Sequence, residues 1–114
     1  MKKIELGSIE FPIKLGTKFL QNITTAEQLT VSEIITKYEK DPLVYLPKLI
    51  FHSINTALLR EGKDSIEEDV VCDWFDEVGV SNSEVKNFTN AFNESIMIHV
   101  PQDKEVGKPK AKKP

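Results

Sequence analysis

The stretch Lys2-Lys3-Ile4-Glu5-Leu6-Gly7-Ser8-Ile9-Glu10-Phe11-Pro12-Ile13-Lys14-Leu15 decides the fold class. Ile4 and Leu6 lead into Gly7-Ser8, and Ile9, Phe11, Ile13 and Leu15 then take every second place. Period two interrupted by Gly-Ser predicts a β-hairpin over 2–15, with a type II′ turn and glycine at its first central position. Pro12 cannot donate to a ladder, so the second strand is expected at an edge or to bend there. A lone hairpin is marginal in water. Its Ile9/Phe11/Ile13/Leu15 face must therefore pack on the rest of the chain, which reads as helical.

Gly16-Thr17 opens a short turn or helix through Phe19, Leu20 and Ile23. Thr30-Val31-Ser32-Glu33 fits a capping box, with Thr25-Ala26-Glu27-Gln28 as a competing start. Asp41-Pro42 pairs a capping aspartate with a proline whose missing N–H costs nothing at a helix start. That helix runs to Gly62, with an irregularity expected at Pro47. Ser65-Ile66-Glu67-Glu68 is a second capping box, followed by the stripe Ile66, Val70, Val71, Trp74, Phe75 and Val78, which Gly79 ends. Ser81 or Ser83 opens the last helix, where Val85, Phe88, Phe92 and Ile96 keep helical spacing. The expected architecture is α+β. One domain spans 1–98, with the hairpin packed on a small bundle of about four helices (30–40, 42–61, 65–78 and 82–97). A flexible, disordered Lys-rich tail is expected over 99–114.

The helix over 42–61 carries apolar residues on two sides. Leu43, Leu46, Ile50, Ile54, Ala57 and Leu58 form the expected inward stripe; Tyr45, Leu49, His52 and Leu59 cluster opposite. Such a helix is either central in the fold or has a partner, and the second reading makes those four residues a partner-binding surface. Trp74 and Phe75 sit within a core stripe.

Length and charge narrow the function. The 114 residues suit one domain. Formal charge is -3, but the segment 99–114 carries +3, leaving -6 on the body. An acidic body repels phosphates, so nucleic acid is not expected as a partner. No apolar run is long enough to span a membrane. Met1-Lys2-Lys3 has no apolar run behind it, and Glu5 and Glu10 interrupt any signal-peptide core, so the chain reads as cytoplasmic. The single Cys72 forms no internal disulfide. With His52 and His99 it makes no recognisable metal or catalytic set, and phosphate-binding glycine loops and nucleophile elbows are absent. The chain therefore reads as non-enzymatic, without cofactor or metal. The acidic run from Asp64 to Glu77 lacks the glycine and spacing of a calcium loop. Asp64-Ser65-Ile66 before an acidic helix looks like the Asp-Ser-Leu motif of acyl carrier proteins, which would make Ser65 an attachment site. The hairpin departs from that all-helical layout, and a plain cap accounts for Ser65.

The whole order of features resembles the small tail assembly chaperones of long-tailed bacteriophages. The likeness rests on the hairpin with Ile9-Glu10-Phe11-Pro12-Ile13-Lys14-Leu15 as second strand, the aromatic turn Lys18-Phe19-Leu20 and the Leu/Ile-rich helix after Asp41-Pro42. It continues through the capped acidic helix Ser65–Val78, the Phe-spaced helix Val85–Ile96 and the Lys-rich end. The resemblance implies a chaperone whose copies coat the long helical tape measure protein before the tail tube forms, in the host cell cytoplasm. It also implies that a longer form arises by ribosomal frameshifting near the end of the gene, where Lys112-Lys113 would suit an A-rich slippery codon pair. On that reading Tyr45, Leu49, His52 and Leu59 contact the partner or build a homo-oligomer. The alternative class is a small interaction module, an inhibitor or adaptor of a phage or bacterial operon.

Overall fold

The structure, a computed structural model, describes residues 1–99. Strands β1 (Lys3–Leu6) and β2 (Ile9–Pro12) precede helices α1 (Thr17–Glu27), α2 (Val31–Lys40), α3 (Pro42–Arg60), α4 (Glu68–Val78) and α5 (Ser83–His99). The class is α+β, as the alternation predicts. Apart from His99, which ends α5, the segment read as a flexible tail lies outside the described residues.

The hairpin is antiparallel, with Leu6 opposite Ile9, Glu5 opposite Glu10, Ile4 opposite Phe11 and Lys3 opposite Pro12. Gly7 has φ 68 and Ser8 does not share the positive φ, the combination a type II′ turn requires. The Ile13 N–H bonds the Lys2 carbonyl at 2.9 Å. Alternation along an antiparallel ladder then turns the backbone nitrogen of Pro12 away from β1, so its missing N–H breaks no rung. On the outward side, the Lys14 N–H bonds the Ser53 carbonyl of α3 at 3.0 Å, and the Glu84 carboxylate of α5 accepts from the Glu5 N–H at 2.8 Å. The hairpin is thereby tied to two helices. Ile4, Leu6 and Ile13 are buried and Phe11 is half-buried, whereas Ile9, expected on the packed face, is exposed beside the turn.

α3 is the central helix, packed against α1, α2, α4 and β2, while α5 packs on β1. It runs unbroken through Pro47. That proline costs one bond, to the carbonyl of exposed Leu43 in the first turn of the helix, while its own ring is buried. At its other end Lys63 N–H bonds Leu58 O (2.9 Å) and Gly62 N–H bonds Leu59 O (3.1 Å), a Schellman motif in which Gly62 takes φ 73. Phe92 of α5 joins three elements, meeting Phe19 of α1 and Tyr38 of α2 edge-on at 6.2 and 5.4 Å and stacking with Phe88 at 6.4 Å.

Several expectations need correction. There are five helices among the described residues, not four. The segment from Thr17 is a full helix ending at Gln28 in the left-handed region, so Thr25 starts nothing. Its threonines and isoleucine are weak helix formers. Burial of Phe19 and Ile23, one turn apart, stabilises it instead. The Thr30 capping box forms in full, with bonds of 3.1 and 2.8 Å. The Ser65 box does not form: α4 begins at Glu68, and 63–67 is non-helical. The Asn55 side chain of α3 explains this, because it accepts from Ile66 N–H (2.9 Å) and donates to Ile66 O (3.2 Å). The Ile66 carbonyl is the group that a helix started at Ser65 would offer to Val70 N–H, which bonds Glu67 O instead at 3.1 Å. Asp41 makes no side-chain cap; its N–H closes α2 on Lys37 O and its carbonyl opens α3. Neither Ser81 nor Ser83 caps α5, because the Asn82 oxygen accepts from Glu84 N–H at 2.8 Å. Leu43 and Val70, expected inside, are exposed. Trp74, Phe75, Val85, Phe88 and Phe92 are buried where their spacing places them.

A candidate interaction groove between three helices

The four residues proposed for partner contact do not form a free surface. Leu49 is wholly buried, Tyr45 is buried and His52 is half-buried; of the four, Leu59 alone stands exposed. Elements α1 and α4 cover this side of α3. Lys48 reaches Glu27 at the end of α1 (3.7 Å) and Glu68 at the start of α4 (3.4 Å). Farther along, Thr56 accepts from the Asn22 amide of α1 at 3.0 Å. Both apolar stripes of α3 are needed inside the fold, so the reading of a central helix holds. Leu59 escapes because it lies in the last turn of α3, one residue before the helix ends.

Electrostatics at this junction follow from its packing. Burial pushes the His52 imidazole below its ordinary value of 6.5, against the pull of Glu27 and Glu68 and with the help of Lys48. Burial also works against the Lys48 charge, but the carboxylates of Glu68 and Glu27 outweigh it and hold the ammonium above its ordinary value. Burial raises the Cys72 thiol, and Glu68, Asp69 and Asp76 raise it further, so it stays protonated at neutral pH and is a poor nucleophile. Among the described residues no group of three or more His, Cys, Asp or Glu side chains is placed to hold a metal ion. Likewise no described helix is long and apolar enough to cross a membrane. Ser65 is exposed in the non-helical segment ahead of α4, so it does not cap that helix.

An open apolar groove lies elsewhere, where the end of α2, the start of α3 and the first half of α5 meet. Its volume is about 600 Å³. Buried Leu46 and Val85 and half-buried Tyr38 form the floor; exposed Leu43 and Val80 stand on its sides, and Lys86 and Asn90 supply a polar rim. Leu43 is 65% exposed and Val80 46%, so two large apolar side chains face water at one opening. Burial raises the Tyr38 hydroxyl above its ordinary value, with Thr89 beside it pulling down and Glu39 pushing up; it remains a neutral donor at the floor. Beneath the floor the Tyr38 ring meets Phe92 edge-on at 5.4 Å.

Periodicity places Leu43 on the inward stripe and says nothing about Val80, so this groove is missed from sequence. One signal was present: Leu43-Val44 directly follow Asp41-Pro42, in the first turn of α3, and both are exposed. Comparison with known proteins adds no neighbour: no family model, no curated protein and no solved structure matches this chain.

Proposed function

We propose that this chain is a non-enzymatic binding domain that acts as a phage tail assembly chaperone, holding the long helical tape measure protein soluble in the host cytoplasm until the tail tube forms around it. The observation that carries the reading is the open groove between α2, α3 and α5. An apolar floor with exposed leucine and valine on its sides and a polar rim suits an amphipathic helix laid in by its apolar face. The order of hairpin, helices and Lys-rich end, which resembles that of tail assembly chaperones, supplies the identity of the helix. A long helical protein with bare apolar faces aggregates unless covered. Many copies of a small domain, each bound weakly, cover it and still yield to the assembling tube. The contact moves from the Tyr45/Leu49/His52/Leu59 stripe to the groove, because α1 and α4 occupy most of the former.

The test is a pull-down from the producing cell with the chain tagged at its N-terminus. A very long helix-rich protein should co-purify with several copies of the chain bound to it, and Leu43→Asp or Val80→Asp should abolish its capture without loss of helical signal. Recovery of one compact partner at equal stoichiometry would overturn the chaperone reading in favour of an inhibitor or adaptor. Capture unaffected by both substitutions would remove the groove from the contact.

A further inference from the structure

We propose that the cleft between the segment after β2, the start of α1 and the end of α3 binds a small phosphate-bearing anion. The cleft has a volume of about 410 Å³, inside the roughly 300–1,000 Å³ of small-ligand sites. Three cations line it, each from a different segment: Lys14 after β2, Lys18 in the first turn of α1 and Arg60 in the last turn of α3. The ion pairs among the described residues use Lys3, Lys48 and Lys63 instead, so none of the three has a carboxylate partner there. An adjoining hollow shares Lys14 and Arg60 with the cleft and adds Lys2 as a fourth cation. Its one acid, Glu61, is paired with Lys63 at 3.1 Å.

The cations carry the site, and backbone donors complete it. Gly16, with φ 134, turns the chain from Leu15 into α1. No side chain caps that helix, and Leu20 N–H makes the first bond back to Gly16 O. The N–H groups of Thr17, Lys18 and Phe19 therefore have no partner among the described residues, and Gly16, Thr17 and Lys18 line the cleft. A guanidinium fork, two ammonium groups and backbone N–H groups thus share one hollow. A phosphate, with more acceptor oxygens and more charge than a carboxylate, matches that donor set. The ligand is small, because a long polyanion would have to cross a body that carries -6 over residues 1–98. Half-buried Leu15 and the Gln21 amide on the wall offer an apolar contact and a hydrogen bond to an organic group carried by the phosphate. Sequence reading passes the site over, because it looks for loops of several glycines and this junction has one. The cleft lies far from the α2/α3/α5 groove. Eighteen residues of α3 at 1.5 Å each separate Pro42 from Arg60 by about 27 Å. The site therefore does not depend on what the groove binds.

Proton–nitrogen NMR titration of the full chain with inorganic phosphate, pyrophosphate and glycerol 3-phosphate tests this. The amide signals of Thr17 and Lys18 and the side-chain N–H of Arg60 should shift and saturate at one ligand per chain. Pyrophosphate should bind more tightly than phosphate at equal ionic strength. Lys14→Gln and Arg60→Gln should each weaken pyrophosphate by about tenfold or more, the loss of one charge-assisted bond. Both positions are exposed, so the rest of the spectrum should be kept. Lys37→Gln, an exposed cation on α2 outside the cleft, should leave the affinity unchanged. Glycerol 3-phosphate bound more tightly than phosphate, with shifts at Leu15 and Gln21, would identify a phosphoester as the ligand; otherwise the free anion is the ligand, and either result supports the site. Shifts that never saturate, or that sodium chloride reproduces, would overturn the proposal. So would an equal loss in Lys37→Gln, or a short single-stranded oligonucleotide bound more tightly than pyrophosphate. None of these results depends on the pull-down, which can fail while the cleft still binds its anion.

Discussion

Asn55 and His52 show how single side chains on α3 hold distant segments. Asn55 imitates a strand edge, offering its oxygen to the Ile66 N–H and its amide to the Ile66 carbonyl. Asn55→Ala leaves both part-buried backbone groups without partners, which should cost about 1–3 kcal/mol. Urea denaturation reads this as a lower midpoint at unchanged slope; an unchanged midpoint would mean the clamp contributes nothing. His52 sets a pH dependence. Its folded-state value lies below 6.5, held down first by burial, with Glu27, Glu68 and Lys48 as the charged groups around it. Above 6.5 both folded and unfolded chains carry the neutral ring and the full contribution is present. As pH falls below 6.5 the unfolded chain takes up a proton that the folded chain resists, so stability declines until the folded-state value is reached. The unfolding midpoint should fall between about pH 7 and the folded-state value, and His52→Gln should flatten that part of the curve. Parallel curves for both proteins would exclude His52 as the source.

Elements show where a local signal suffices and where it does not. Two stretches, Thr30-Val31-Ser32-Glu33 and Ser65-Ile66-Glu67-Glu68, carry the same capping pattern. Only the first is used; in the second, Asn55 of α3 holds both backbone groups of Ile66 and Val70 N–H bonds Glu67 O, so α4 starts at Glu68. Thr30→Ala should therefore cost about 1 kcal/mol, while Ser65→Ala should be nearly silent. Equal costs in thermal or urea unfolding would show that the Ser65 box forms after all. The hairpin makes the converse point. Its turn type, its alternation and the tolerance of Pro12 are all local, and all are legible in residues 2–15. Helix α1 is not legible in the same way, since its residues favour helix only weakly and two buried side chains stabilise it.

At the scale of the whole molecule, α3 is an axis that other elements enclose, and Phe92 is the point where α1, α2 and α5 meet. Phe92→Ala would empty a site bounded by Phe19, Tyr38 and Phe88, and should cost about 3–5 kcal/mol. It should also loosen Tyr38 and with it the floor of the groove, so that whatever binds there is lost together with stability. A stable Phe92→Ala protein with unchanged binding would separate groove from core. The enclosure of α3 also explains why its second apolar stripe, which on a helical wheel looks like a docking face, is core. Two-sided apolar helices are ambiguous in sequence because periodicity reports which residues avoid water, not whether the covering atoms belong to the same chain.

Features settled within a few residues are legible in the chain before it folds: the hairpin and its glycine turn, the Thr30 cap, the stops at Gly62 and Gly79, and the core spacing of Trp74, Phe75, Val85, Phe88 and Phe92. Each is a matter of local backbone geometry or of one face's period. Long-range packing was needed to make α1 a helix, to start α4 at Glu68, to cover Tyr45 and Leu49, and to open Leu43 and Val80 onto a groove. Each depends on partners far along the chain, Asn55 with Ile66, Lys48 with Glu27 and Glu68, Phe19 with Phe92. Those partners supply the burial and the hydrogen bonds that overrule local preference.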